Sequence, residues 1–287
     1  MSIKTTQSLF SGILIWLVKS RDCGNGMFFA KLSIILFKIK SLNNLSLQIQ
    51  MKKLVIIPTY NEKENIEKII SAVFALEQEF HILVVDDSSP DKTADIVKEL
   101  QKKFPHTLHL SIRHIKDGLG KAYIHGFKWA LQNNYDYIFE MDADFSHNPN
   151  DLPKLFDACL NADMAVGSRY SKGVNVVNWP MGRVLLSYFA SKYVRFILGL
   201  SIHDTTAGFV CFSRKVLEEI GLDNVKLKGY GFQIEMKFRT FKKGFKIVEV
   251  PIIFTNRELG ESKMNGGIIH EAVFGVLNLK WKSIIGK

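Results

Sequence analysis

Cysteine is scarce. Cys23, Cys159 and Cys211 are scattered through 287 residues with no C-x-x-C pair, a pattern that excludes a disulfide framework and a thiolate zinc site and points to a reducing compartment. No apolar run reaches the roughly 20 residues a membrane-spanning helix needs; the stretches 9–18 and 27–37 are separated by Lys19, Arg21 and Asp22. No G-x-x-x-x-G-K-[ST] occurs, which removes the P-loop route to phosphate. Gly118-Leu119-Gly120-Lys121 is not G-x-G-x-x-G either, and reads as a turn opening a helix. The eight histidines show no metal-ligand spacing and read as structural or solvated.

Acid is the minority charge, 28 Asp and Glu against 38 Lys and Arg, for a net +10. Half of that excess lies in residues 1–50, where six basic side chains face Asp22 alone. The remainder is too nearly balanced to argue for nucleic acid, whereas phosphates or a membrane surface fit. Residues 1–50 differ in kind from the rest of the chain. The first apolar stretch resembles a signal-peptide core, but no small-residue cleavage site comes after it. Met51 is the expected natural start. Residues 1–50 are then an upstream extension, or at most a weak basic membrane-associating arm, and 51–287 are expected to form one domain.

From Met51 strands and helices alternate. Strand patterns cover 54–57, 81–85, 108–113 and 137–140. Between them lie helical patterns, the first running to about 76 and expected to start from a capping box of Asn61 and Glu64. Short loops between such units imply a mostly parallel sheet covered by helices on both faces. Ligands of such sheets lie beyond the carboxyl ends of the strands, which gathers Pro58, Tyr60, Glu62, Asp86, Asp87, Asp142 and Asp144 into one crevice. Asp142-Ala143-Asp144 closes an apolar run, and strand alternation would put both carboxylates on one side. A solvated acidic turn is the bland reading. A hard divalent cation, bound through the two carboxylates and substrate phosphates, is the functional one.

Further on, 151–160 reads as a helix, 164–166 as a strand and 181–200 as a helix rich in aromatic and basic residues. That helix suits a core or a membrane interface. The segments 203–209 and 228–235 read as loops, 246–250 as a strand, and 268–285 as a short amphipathic helix. Arg257 and Lys263, in a glycine-containing loop, suit phosphate.

Five pieces occur in order: Pro58-Thr59-Tyr60-Asn61-Glu62, the stretch from Val84 through Asp86-Asp87-Ser88-Ser89-Pro90-Asp91, Met141-Asp142-Ala143-Asp144, Gly167-Ser168-Arg169-Tyr170, and Gly260-Glu261-Ser262-Lys263. Together they resemble glycosyltransferase family 2, and within it the dolichyl-phosphate (polyprenyl-phosphate) mannose synthases of the short form that lacks C-terminal transmembrane helices. The resemblance runs from Met51 to about Trp281. It implies a GT-A fold, a GDP-mannose donor, Mg²⁺ or Mn²⁺, a dolichyl or polyprenyl phosphate acceptor, and peripheral attachment to the cytoplasmic face of a membrane. Carried over residue by residue, Pro58, Tyr60, Glu62, Val84, Asp86 and Ala143 would bind the nucleotide sugar. Asp142 and Asp144 would hold metal and diphosphate, with Ser146 where some members have a Gln ligand. Arg169, Arg183 and Ser187 would meet the acceptor phosphate, and Arg257 and Lys263 the donor phosphates as they leave. The acceptor phosphate is already ionised, so no general base is required. The rivals are a UDP-glucose or UDP-N-acetylhexosamine transferase of the same fold, a nucleotidyltransferase, and a non-catalytic nucleotide-binding subunit.

Overall fold

The computed structural model describes residues 51–256 and 266–285, the side chains of 266–272 excepted. The expectations for residues 1–50, Arg257 and Lys263 lie outside the described residues.

The first half repeats one unit: β1 (Lys53–Thr59), α1 (Ile66–Phe74), β2 (His81–Asp86), α2 (Thr93–Gln101), β3 (Leu108–Ile112), α3 (Leu119–Gln132) and β4 (Tyr137–Glu140). Then come α4 (Leu152–Cys159), β5 (Met164–Ser168), β6 (Val176–Val177), α5 (Met181–Leu198), β7 (Val210–Ser213) and α6 (Arg214–Glu219). The last elements are α7 (Gly229–Lys242), β8 (Ile247–Pro251), β9 (Phe254–Thr255) and α8 (Gly266–Ile284). The main sheet has the order β3-β2-β1-β4-β7-β5-β8, while β6 and β9 form a separate parallel pair. Only β7 runs antiparallel to its neighbours, pairing β4 and β5.

The strands are apolar on both faces because both are covered. On one face Leu54, Ile56, Leu83, Val85 and Phe212 pack with Tyr123 and Phe127 of α3 and Phe232 and Met236 of α7. Helix α3 comes so close that a Cβ on Gly126 would meet Ile56 Cγ2 at 2.8 Å; only glycine fits there without repacking. On the opposite face α1 buries Ile66, Ile69, Ile70 and Val73, and α4 buries Leu155, Phe156 and Cys159. Each fully buried large apolar side chain contributes about 1.5–3 kcal/mol, so this double-sided burial dominates the favourable energy. A second cluster joins Val194 and Leu198 of α5, Ile234 and Phe238 of α7, and Val276 of α8.

Three local expectations need correction. The capping box of Asn61 and Glu64 does not form. Asn61 has φ 57, and its N–H donates to Ser89 Oγ at 3.0 Å, while the N–H groups of Glu62 and Lys63 bond Thr93 and Asp91. Those donors tie the β1 loop to the β2 loop, and α1 starts only at Ile66 after a turn closed on the Glu62 carbonyl. The segment 228–235 is not a loop but the first half of α7. Residues 231–238 of that helix are all buried, so no polar stripe marks its period. The ladder of β4 ends at Glu140, which leaves Asp142 and Asp144 in the loop beyond it and not on the pleat.

Candidate active site

The carboxyl ends of β1, β2 and β4 meet at one edge of the sheet, with Thr59 opposite Asp86 and Ile56 opposite Glu140. Asp86 is fully buried. It accepts from Thr59 Oγ1 (2.8 Å), from the Ser89 N–H (2.8 Å) and from Ser89 Oγ (2.6 Å), so it clamps the β1 and β2 loops together beneath Tyr60. Over the Tyr60 ring sits the Lys116 ammonium, 3.3 Å from the centroid, in cation–π geometry. Beside them Arg113 Nη1 lies 3.3 Å from Asp87 Oδ1; burial raises the Asp87 pKa against the pull of that guanidinium. Pro58, Tyr60 and Glu62 are each half-buried at this edge, and Val84 is in the core.

In the loop after β4, Met141 and Ala143 are buried while Asp142 and Asp144 are half-buried. The Asp142 N–H donates to His147 Nδ1 at 3.2 Å and the Ser146 N–H to Asp144 Oδ1 at 3.1 Å. His147 is buried against Phe209, its ring stacked 4.8 Å away, and burial pushes its pKa down to about 4. It is therefore a neutral ring accepting at Nδ1, a backing for the loop and not a solvated residue. Tyr123, also fully buried, donates to Asp142 Oδ1 at 3.4 Å, and burial raises its pKa so that it stays a donor. Ser146 Oγ is buried with no partner among the described residues. Asp142, Asp144 and this hydroxyl are all hard oxygen donors. Among the described residues no group of three or more His, Cys, Asp or Glu could hold a metal ion, so any ion here would take its other ligands from phosphate and water.

Behind this loop Glu140 is wholly buried. Its Oε2 accepts from Gln233 Nε2 at 2.8 Å, and Oε1 has no hydrogen-bond partner among the described residues. Lys237, equally buried, donates to the Ala207 carbonyl at 2.6 Å and to Gln233 Oε1 at 3.2 Å. Burial raises the Glu140 pKa and lowers that of Lys237, each partly offset by the other's charge.

The structure brings Arg169, Arg183 and Ser187 to one cavity of about 260 Å³, whose walls include Trp179, Tyr193 and Tyr230. Arg169 comes just after β5 and forks onto Asp204, with Nε–Oδ2 at 2.7 Å and Nη2–Oδ1 at 2.6 Å, while Nη2 also reaches Thr206. Burial alone would raise the Asp204 pKa, but the Arg169 guanidinium overrides it and holds the carboxyl below its usual range. Arg183 lies over the Trp179 ring at 4.0 Å and donates to Asn256 at 3.1 Å.

Sequence reasoning missed Asp204, Gln233 and Lys237 because their partners Arg169, Glu140 and Ala207 are distant in the chain, and it missed Trp179 although Arg183 lies only four positions on. The one signal was Gln233 and Lys237 at i and i+4, with Glu235 between them and apolar residues at the other positions.

The profile of glycosyl transferase family 2 matches residues 54–221. Polyprenol monophosphomannose synthase of Mycolicibacterium smegmatis is 51% identical over 226 residues, 78% of this chain and 85% of that one. Undecaprenyl-phosphate mannosyltransferase of Micrococcus luteus is 47% identical over 238 residues, 82% of this chain and 98% of that one. Among solved structures, glucosyl-3-phosphoglycerate synthase from Mycobacterium tuberculosis, in complex with Mn²⁺, UDP-glucose and phosphoglyceric acid, superposes with a TM-score of 0.59 at 17% identity, covering 82% of this chain and 81% of that one. That last likeness speaks to the fold alone.

The mostly parallel sheet with acidic loops at its carboxyl edge, taken with the family match, is that of a glycosyltransferase of the GT-A fold. The chain belongs to glycosyl transferase family 2, and is of the polyprenyl-phosphate mannose synthase type.

Proposed function

We propose that this protein transfers mannose from GDP-mannose to dolichyl or another polyprenyl phosphate, giving a polyprenyl β-D-mannosyl phosphate. The observation that carries the reading is the cavity holding Arg169 and Arg183. It combines two guanidinium groups and a hydroxyl with the apolar and aromatic side chains of Leu186, Phe189 and Trp179, as a phosphate head with an apolar tail requires. A groove lined by Phe196, Ile197, Leu277 and Trp281 runs between α5 and α8. Phe196 is 87% exposed and Trp281 64%, with Lys192, Lys280 and Lys282 on the same two helices. This apolar, basic-fringed surface supports peripheral docking on a bilayer. Among the described residues no helix is long and apolar enough to cross one.

An acceptor phosphate near neutral pH is already anionic, so the chain's task is alignment and charge stabilisation. Tyr60, Glu62 and the Asp86-clamped loops hold the nucleotide. Arg169, Arg183 and Ser187 hold the acceptor phosphate, and Arg257 and Lys263 hold the donor phosphates as they depart. Asp142 and Asp144, with Ser146, would hold Mg²⁺ or Mn²⁺, which when bound neutralises charge on the leaving diphosphate. Attack from the far side inverts the anomeric centre.

The test is incubation of the full chain with Mg²⁺ or Mn²⁺, a short polyprenyl phosphate and one of GDP-mannose, UDP-glucose or UDP-N-acetylglucosamine. Lipid-linked sugar is expected from GDP-mannose. Asp144→Asn is expected to lower the rate by about 100-fold or more, on the scale of losing a main electrostatic stabiliser, with an unchanged circular dichroism spectrum. Product only from a UDP-sugar would overturn the donor assignment, and none from any donor would favour a nucleotide-binding subunit.

A further inference from the structure

Glu140, Gln233 and Lys237 take no part in the chemistry above, yet they form a continuous polar chain through the core. At one end is Glu140, the last residue of β4, two positions before Asp142. At the other end the Lys237 ammonium grips the Ala207 carbonyl at 2.6 Å. Ala207 belongs to the loop that carries Asp204 and Thr206, the two partners of Arg169. The same loop is pinned from β8, where Glu249 accepts from the N–H groups of His203 (2.8 Å) and Asp204 (2.9 Å). One ammonium on α7 thus bonds the loop that holds Arg169 directly and reaches Glu140, at the base of the Asp142–Asp144 loop, through Gln233.

Stability alone does not explain these groups. Buried ions are often replaceable by apolar residues of like volume with no loss of stability, and Glu140 Oε1 has no hydrogen-bond partner among the described residues. What the polar chain provides is direction, since each bond fixes an angle as well as a distance.

We infer that Lys237 is a positioning residue that, through Gln233 and Glu140 on one side and Ala207 on the other, holds the Asp142–Asp144 loop and the Arg169 cavity in register for transfer. This rests on the functional reading above. A misplacement of about 1 Å between two reactants costs on the order of 100-fold in rate, so the signature is in turnover and not in binding.

Steady-state kinetics of the full chain at low temperature test it, with Lys237→Met, which keeps the stem and removes the charge, and with the charge-free Glu140→Gln, Lys237→Met double variant. The expected result is kcat lowered by about 30-fold or more, with KM for donor and for acceptor each within about threefold. If Lys237→Met fails to fold because it strands the Glu140 carboxylate, the double variant carries the test with the same expected split. A folded variant with kcat within about twofold of wild type overturns the inference, and so does a loss confined to one KM. Absence of lipid-linked sugar from the wild type itself defeats the functional reading, and this inference with it; turnover by wild type with an unchanged variant defeats this inference alone.

Discussion

Arg169 and Asp204 illustrate how a residue's type is legible in a sequence while its commitments are not. Arg169 stands out as a cation in a Gly-Ser-Arg-Tyr run, but its partner is 35 positions away. Glu140 and Gln233 are 93 apart. The acidic and cationic candidates could be picked because charge at a strand end is local information. The buried groups behind them could not, because only the fold makes them neighbours. The histidines carry a consequence at this scale. His81 Nδ1 and His109 Nε2 flank the Tyr135 hydroxyl at 2.8 and 3.2 Å, and burial lowers both pKa values from 6.5. In the window between those lowered values and 6.5 the unfolded chain binds more protons than the folded one, so stability rises with pH there and is lost as pH falls. Urea unfolding at pH 7.5 and pH 5.5 is expected to show lower stability at the acid pH, and His109→Phe is expected to reduce that difference without removing it, since His81, His125 and His147 contribute in the same sense. Equal stability of the wild type at both pH values would contradict this.

At the scale of elements, strands and helices of the first half were readable from apolar runs and 3.6-residue spacing, since each presents a distinct face to the core. Helix α7 defeated that method because its neighbours surround it, and the turn before α1 did because its backbone donors are used by the adjacent loop. Helix α5 was ambiguous between core and interface, and the structure divides it. Ser191, Val194 and Leu198 are buried, while Leu185, Leu186, Phe189 and Phe196 are exposed. Of the exposed residues, Phe196 lines the apolar groove shared with α8, while Leu186 and Phe189 line the Arg169 cavity. Phe189→Asp, Phe196→Asp is therefore expected to abolish co-sedimentation with anionic vesicles while leaving the unfolding temperature within a few degrees. Undiminished binding would move the docking face elsewhere.

At the scale of the described molecule, β1 to β4 carry the acidic edge to which the proposed function assigns the donor, and the elements from β5 onward build the cavity to which it assigns the amphiphilic acceptor. The parallel half was legible in the sequence; the antiparallel insertion of β7 between β4 and β5 was not, since nothing in a short apolar run states which neighbour it will choose or in which sense. That insertion matters to the proposed function. It brings the loop before β7, with Asp204, Thr206 and Ala207, to the neighbourhood of the strand that ends before Asp142. The proposed reaction is direct attack of an ionised acceptor phosphate on the anomeric carbon of the donor, with the nucleoside diphosphate leaving and no covalent intermediate on the protein. The anomeric configuration of the purified lipid-linked mannose, read by NMR from the one-bond C1–H1 coupling, tests it most directly. A β-linked product from the α-linked donor is the result expected; an α-linked product would contradict it.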